Sequence, residues 1–266
     1  MSIFHRNNIH IEGAGGKTMV LAHGFGCDQN MWRLIVPAFV SDYRVVLFDH
    51  VGAGKSDITQ YRPEKYNTLT GYADDLLEII DAVGGTPVIF VGHSVSAMIG
   101  VLAAARRPQA FERLILIGPS PCYINDSDYI GGFNRADIEA LLATLDSNYL
   151  GWSSATAPLI MGNPERPELA GELTESFCRT NPYIAKQFAR VTFLSDNRAD
   201  LARVSVPALI LQCSEDIIAP DCVGQFVKDH MPRSELVRLS ATGHCPHMSA
   251  EKETIAAMRQ YLSSAP

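Results

Sequence analysis

The sequence has no CxxC pair and no recognisable export signal. Its N-terminus, Met1-Ser2-Ile3-Phe4-His5-Arg6-Asn7-Asn8, carries no apolar run of the kind a secretory leader needs, so the expected location is the cytoplasm. The six cysteines, Cys27, Cys122, Cys178, Cys213, Cys222 and Cys245, are scattered, and a chain of 266 residues is long enough to fold without staples. Structural disulfides are therefore not expected. Long apolar runs are missing too. Val88 to Val91 and Leu114 to Ile117 are far too short to span a bilayer. Positive charge is not in excess: 22 Lys and Arg face 29 Asp and Glu, a net charge of -7. Nucleic acid or an anionic membrane would want a basic face, so neither is an expected partner. There is no repeat, low-complexity stretch or cofactor motif. Gly52-Ala53-Gly54-Lys55-Ser56 ends like a phosphate loop, but Asp49 stands where GxxxxGK[ST] requires its first glycine. It reads as a tight strand-to-helix connection.

What is present is a large apolar inventory, 47% of the chain, arranged as short β-branched runs that alternate with longer helical patterns. That alternation predicts parallel strands joined by crossover helices. Strands are expected at 17–22, 44–49, 87–91, 113–117, 207–212 and 235–239, with an antiparallel pair before them in 3–12. Most are apolar almost throughout, as strands covered on both faces should be. Helices are expected at 70–83, 94–106, 220–230 and 251–261. The first ends in Gly84-Gly85, which suits a C-cap.

One region breaks the alternation. Residues 119–196 contain no convincing strand but several helical stretches, at 135–146, 168–179 and 184–193. This insertion holds nine of the 22 aromatic residues. It is expected to lie as a helical cap over the C-terminal strand ends, where open α/β sheets bind ligands. The core would then be 1–118 and 197–266, and the cap 119–196. For any single cap aromatic, packing and pocket lining are about equally good explanations.

The chemistry concentrates in Val88-Ile89-Phe90-Val91-Gly92-His93-Ser94-Val95-Ser96-Ala97. A buried strand runs through a tight turn straight into a helix. The central residue of such a turn is strained and holds its side chain at the strand tip. Ser96 replaces the second glycine of G-x-S-x-G, which weakens the motif, and a plain helix N-cap would also favour serine at position 94. The later strands tip the balance. A serine nucleophile needs a base, and the base needs an orienting carboxylate. In chain order these follow as Asp216, after strand 207–212, and His244, after strand 235–239. Glu215 is the competing acid and ranks below Asp216. His244-Cys245-Pro246-His247 could suggest metal ligands, but zinc needs a third and fourth at suitable spacing and none is found. His93 is expected to turn away from Ser94, and His23 to serve a structural hydrogen bond. Ala22-His23-Gly24-Phe25-Gly26 can approach the reacting centre closely, so the backbone N–H groups of Phe25 and Val95 are the expected oxyanion donors.

Gly24-Phe25-Gly26-Cys27-Asp28-Gln29, Gly92-His93-Ser94-Val95-Ser96-Ala97-Met98-Ile99-Gly100, Tyr129-Ile130-Gly131-Gly132-Phe133 and Gly243-His244-Cys245-Pro246-His247-Met248 together resemble the small signalling α/β-hydrolases. That group contains the bacterial RsbQ-type energy-stress regulators and the plant strigolactone and karrikin receptors. The resemblance, closest to the RsbQ type, runs over nearly the whole chain and makes Ser96 a group trait. It implies an α/β-hydrolase fold: a mostly parallel central sheet flanked by helices, with a four-helix cap inserted after the sixth strand. It also implies a deep, mostly apolar pocket lined by Phe25, Tyr123, Phe133, Trp152 and Phe193. Thr156 stands where the plant receptors carry a further cap aromatic, which sets this chain apart from their ligands. The resemblance further implies a small hydrophobic ligand, a PAS-domain partner and a role in stress signalling. Two readings follow: a serine esterase or lactonase, and a slow-turnover ligand receptor whose output is partner binding. A plain metabolic esterase is the third.

Overall fold

The computed structural model describes residues 2–85 and 87–264. Seven strands form one sheet: β1 (His10–Glu12), β2 (Lys17–Ala22), β3 (Tyr43–Leu47), β4 (Val88–His93), β5 (Phe111–Ile117), β6 (Ala208–Glu215) and β7 (Ser234–Thr242). Their spatial order is β1-β3-β2-β4-β5-β6-β7. Only β1 is antiparallel, on the edge against β3; the other pairings are parallel. All six residues of β4 are buried, which is why this strand reads as a continuous apolar run and not as an alternation.

The order reverses between β2 and β4. From β2 the chain moves outward to β3, then returns to the other side of β2. The loops leaving β2 and β4 therefore part around a crevice at the C-terminal strand ends, the place such sheets offer a ligand.

Helices α2 (Leu69–Val83) and α3 (Val95–Arg106) supply crossovers beside the centre of the sheet. One apolar face of α2 is buried through Tyr72, Leu76, Ile79, Ile80 and Val83, and Gly84 ends the helix at φ 66°. Between β5 and β6 the chain forms α4 (Arg135–Ser147), α5 (Tyr149–Met161), α6 (Pro167–Arg179) and α7 (Pro182–Phe193). The short α8 (Arg198–Leu201) leads into β6, and α9 (Asp221–His230), α10 (Pro246–Ser249) and α11 (Glu251–Ser263) complete the chain.

The expected antiparallel pair within 3–12 does not form. Ile3–Arg6 is a helical turn, α1: Ser2 Oγ accepts the Phe4 N–H, and Arg6 reaches Asp75 and Glu78 on α2. Those local bonds outweigh the strand preference of Ile3 and Phe4. Only His10–Glu12 joins the sheet, so the four long helices follow the fifth strand instead of a sixth.

Candidate active site

Ser94 sits between the last residue of β4 and the first of α3, at φ 56° and ψ -124°. A non-glycine residue there costs about 1–3 kcal/mol and persists only where its surroundings fix it. They do. The Ser94 N–H donates to Ile117 C=O at 2.8 Å, and its C=O accepts the Ala97 N–H at 2.9 Å. Gly92 is required because a Cβ on it would come within 2.7 Å of the Ser96 carbonyl. Ser96 is fully buried. Its hydroxyl donates to His23 C=O, so the ring N–H that lies 2.8 Å away must be His50 Nε2–H donating to it. The residue that spoils the pentapeptide motif thus ties the β4 turn to the loop after β2.

The structure brings Ser94, His244 and Asp216 into one chain of hydrogen bonds. Ser94 Oγ lies 2.8 Å from His244 Nε2, and His244 Nδ1 lies 2.7 Å from Asp216 Oδ2. All three are buried. The other Asp216 oxygen accepts the N–H groups of Ile218 and Ala219. Burial raises this carboxyl, but attraction to His244, its hydrogen bond and the two backbone donors outweigh burial, so Asp216 titrates below the usual carboxylate range. Glu215 is exposed and has no place in the chain of bonds. The backbone of His244 is held from two sides. Its N–H donates to Ile160 C=O on α5 at 2.9 Å, and its C=O accepts His93 Nε2–H at 2.8 Å.

The loop after β2 passes directly over Ser94: a Cβ on Gly24 would stand 3.3 Å from Ser94 Cβ. The N–H groups of Phe25 and Val95 make no backbone hydrogen bond among the described residues, and Val95 opens α3. Both are thus available as donors. His23 supports this loop. Its Nε2 accepts the His50 N–H, which leaves Nδ1–H to donate to Gly24 C=O. His50 is held neutral, first by burial and then by the neighbouring His23.

A cavity opens onto Ser94 between these loops and the inserted helices. Phe25, Tyr123 and Phe193 line it, as the sequence led us to expect. Trp152 does not touch the space itself. It stacks on Phe177, nearly parallel at 5.8 Å, and meets Phe25 edge-on. Phe133 is not among the lining residues: its backbone pairs with Ile124 and Tyr123, which places it outside. Thr156 is half-buried and also outside the lining. Phe177, which sequence reasoning passed over, does line it. The signal was the four-residue spacing of Leu169, Leu173 and Phe177 along the buried face of α6. The Tyr123 phenol faces Ser94, and burial pushes it well above the usual range. The remaining space is about 30 Å³, room for roughly two water molecules. Larger clefts of about 590 and 430 Å³ lie elsewhere on the surface. They are lined mostly by polar and charged residues and do not reach Ser94, so the small cavity is the candidate site.

His93 does not simply turn away. Its ring sits behind His244, 4.9 Å between centroids, and beside His247, 4.4 Å between centroids. Burial, then the neighbouring His244, lowers His93 to about 3. The phosphate-loop look-alike is a turn closed by Asp49, which accepts the Lys55 and Gln29 N–H groups. No helix among the described residues is long and apolar enough to cross a membrane.

A family model described as the alpha/beta hydrolase family matches residues 19–257. The chain is 39% identical over 262 residues to the strigolactone esterase of Arabidopsis thaliana, covering 98% of each. It is 38% identical to a karrikin insensitive receptor of Petunia hybrida, covering 96% of this chain and 95% of the receptor. A solved structure of a hydrolase from Oleispira antarctica superposes with a TM-score of 0.96 at 43% identity, over 99% of this chain and 97% of that one. The chain therefore belongs to the alpha/beta hydrolase family.

Proposed function

We propose that this protein is a serine hydrolase that cleaves a small hydrophobic ester, lactone or similar carboxylic derivative through an acyl-enzyme on Ser94. The observation that carries the reading is the continuous Ser94–His244–Asp216 hydrogen-bond chain at the strand tips. His244 Nε2 takes the Ser94 proton as Oγ attacks the carbonyl carbon. Asp216 holds the imidazole in the tautomer that exposes Nε2 and steadies the positive charge it acquires. The Phe25 and Val95 N–H groups receive the developing oxyanion, each donor typically worth about 3 kcal/mol. His244 then gives its proton to the leaving alcohol, and a water repeats the sequence to free the acid. In this reading 1–118 and 197–266 form the catalytic core, 119–196 is a cap that selects the substrate, and the protein works in the cytoplasm without a cofactor. Ser94→Ala should abolish hydrolysis of a short p-nitrophenyl ester; an unchanged rate would overturn the assignment.

The cavity favours a second reading of the biological output. Only about 30 Å³ is open, so a ligand enters by displacing cap side chains, and turnover is slow. Relatives include a protein named as a receptor. The insertion also exposes Leu150, Leu159 and Tyr183. These features support an RsbQ-type role, in which the ligand-loaded protein acts on a PAS-domain partner in bacterial stress signalling. Pre-steady-state kinetics separate the cases: a burst of product followed by a slow phase fits a receptor, whereas linear fast turnover fits a metabolic esterase.

A further inference from the structure

We infer that His93, Cys245 and His247 form a metal site behind the triad for a thiophilic d10 cation, monovalent copper in preference to zinc. One ligand atom from each residue lies within 4.8 Å of the others. All three side chains are buried, at 2%, 1% and 0% exposure. His93 Nδ1 and both ring nitrogens of His247 have no hydrogen-bond partner among the described residues. Buried polar atoms are nearly always paired, so three orphaned nitrogens in one place mark a site built for something else. In sequence the metal-like signal is confined to His244-Cys245-Pro246-His247. The third donor comes from β4, which no local spacing could reveal.

The tautomer of His93 is already set. Its Nε2–H is committed to the His244 carbonyl at 2.8 Å, which leaves Nδ1 with a free lone pair. Metal-bound histidines are typically held in this way, by their other N–H on a backbone carbonyl. Gly24 keeps that face clear, since a Cβ there would stand 2.6 Å from His93 Nδ1. Two imidazole nitrogens and one sulfur suit soft ions, and bond lengths of about 2.0–2.3 Å require only a modest inward shift of the three donors. Binding forms a metal–sulfur bond, and the Cys245 proton leaves to solvent. A monovalent ion and a thiolate cancel, whereas zinc would leave one buried positive charge, so copper is favoured.

The ligands flank the reacting pair: His93 precedes Ser94, and Cys245 follows His244. An ion here fixes both turns and draws the Cys245 sulfur out of the cavity lining.

The test uses the full chain with Cys178→Ser and Cys222→Ser, which removes the less buried thiols. One sample is loaded anaerobically with monovalent copper and a second with zinc, each is gel-filtered against a competing chelator, and metal is counted by mass spectrometry. One copper per chain is expected, with one sulfur and two nitrogens in its X-ray absorption shell. Cys245→Ala and His247→Phe should each cut retention at least about tenfold. A metal shell without sulfur in the parent chain overturns the site, whether or not the variants fold. So does metal retention unchanged in both variants, or retention of neither metal; retained zinc without copper overturns the preference alone. Ester hydrolysis is read separately, so failure of the triad leaves the metal count standing.

Discussion

At the strand tips the functional groups are tied by hydrogen bonds in every direction, whereas around Phe25 the inserted helices meet the core through ring faces and edges. Ser94, His244 and Asp216 form one hydrogen-bonded set, and His23, His50 and Ser96 form a second beside it. Phe25, Trp152, Phe177 and Phe193 share only contacts at 5.7–6.2 Å between ring centroids. The first arrangement fixes atoms to within a fraction of an ångström, as proton transfer demands. The second fixes shape and volume but tolerates sliding. Reaction type is thus expected to be robust on the core side, and ligand choice to be adjustable on the other. The two sides are joined where Ile160 on α5 accepts the His244 N–H, so a shift of that helix reaches the base.

Four substitutions or conditions sharpen this contrast. The largest effect should come from Phe177→Ala, which removes a ring that is 2% exposed, stacked on Trp152 and edge-on to Phe25. A loss of about 3–5 kcal/mol is expected in urea unfolding, with a wider ligand range and retained chemistry on small esters. Ser96→Ala comes next. It leaves His50 Nε2–H and His23 C=O buried without their partner, at about 1–3 kcal/mol, and should slow turnover by loosening the Phe25 loop. Chemical denaturation paired with kcat measures both.

Acid is the third probe. His50 is buried among Phe48, Tyr72, Phe188 and His23, and burial keeps it neutral, well below its ordinary value. Its folded value is depressed, so the unfolded chain binds the extra proton below about pH 6.5. Stability from this group is full above that pH and is lost as pH falls, by up to about 1.4 kcal/mol per pH unit. Unfolding midpoints between pH 7 and 5 should show the slope, and His50→Gln should make it shallower, leaving the share of buried His93. The smallest effect belongs to Thr192→Val. Thr192 Oγ1 is buried at the cavity without a partner among the described residues, so its loss should change stability by less than about 1 kcal/mol and can raise it. A large destabilisation would mean that Thr192 Oγ1 makes a polar bond of its own.

The same contrast explains what the sequence made legible. Buried parallel strands have a composition signal, and 17–22 is found as the strand Lys17–Ala22. Ser94, Asp216 and His244 could be paired on paper because each follows a strand, and strand tips converge by topology. The insertion has no such frame. Helix α5 has little amphipathic pattern and carries Pro158 inside, so its periodicity was silent. Phe133 is expected in the pocket through the family resemblance, but a local backbone pairing holds it half-buried outside the lining. His93 was judged by strand alternation, which ends where β4 bends into the Ser94 turn.

Ser94 at φ 56° carries one more consequence, for how such a protein changes over generations. Replacement of this serine by glycine relieves the strained backbone, so the chain stands to gain stability as it loses its nucleophile. Drift away from hydrolysis is then thermodynamically downhill. A lineage selected only to persist and to hold a ligand would shed its chemistry first, and a library screened for heat resistance alone should collect inactive proteins at this one position.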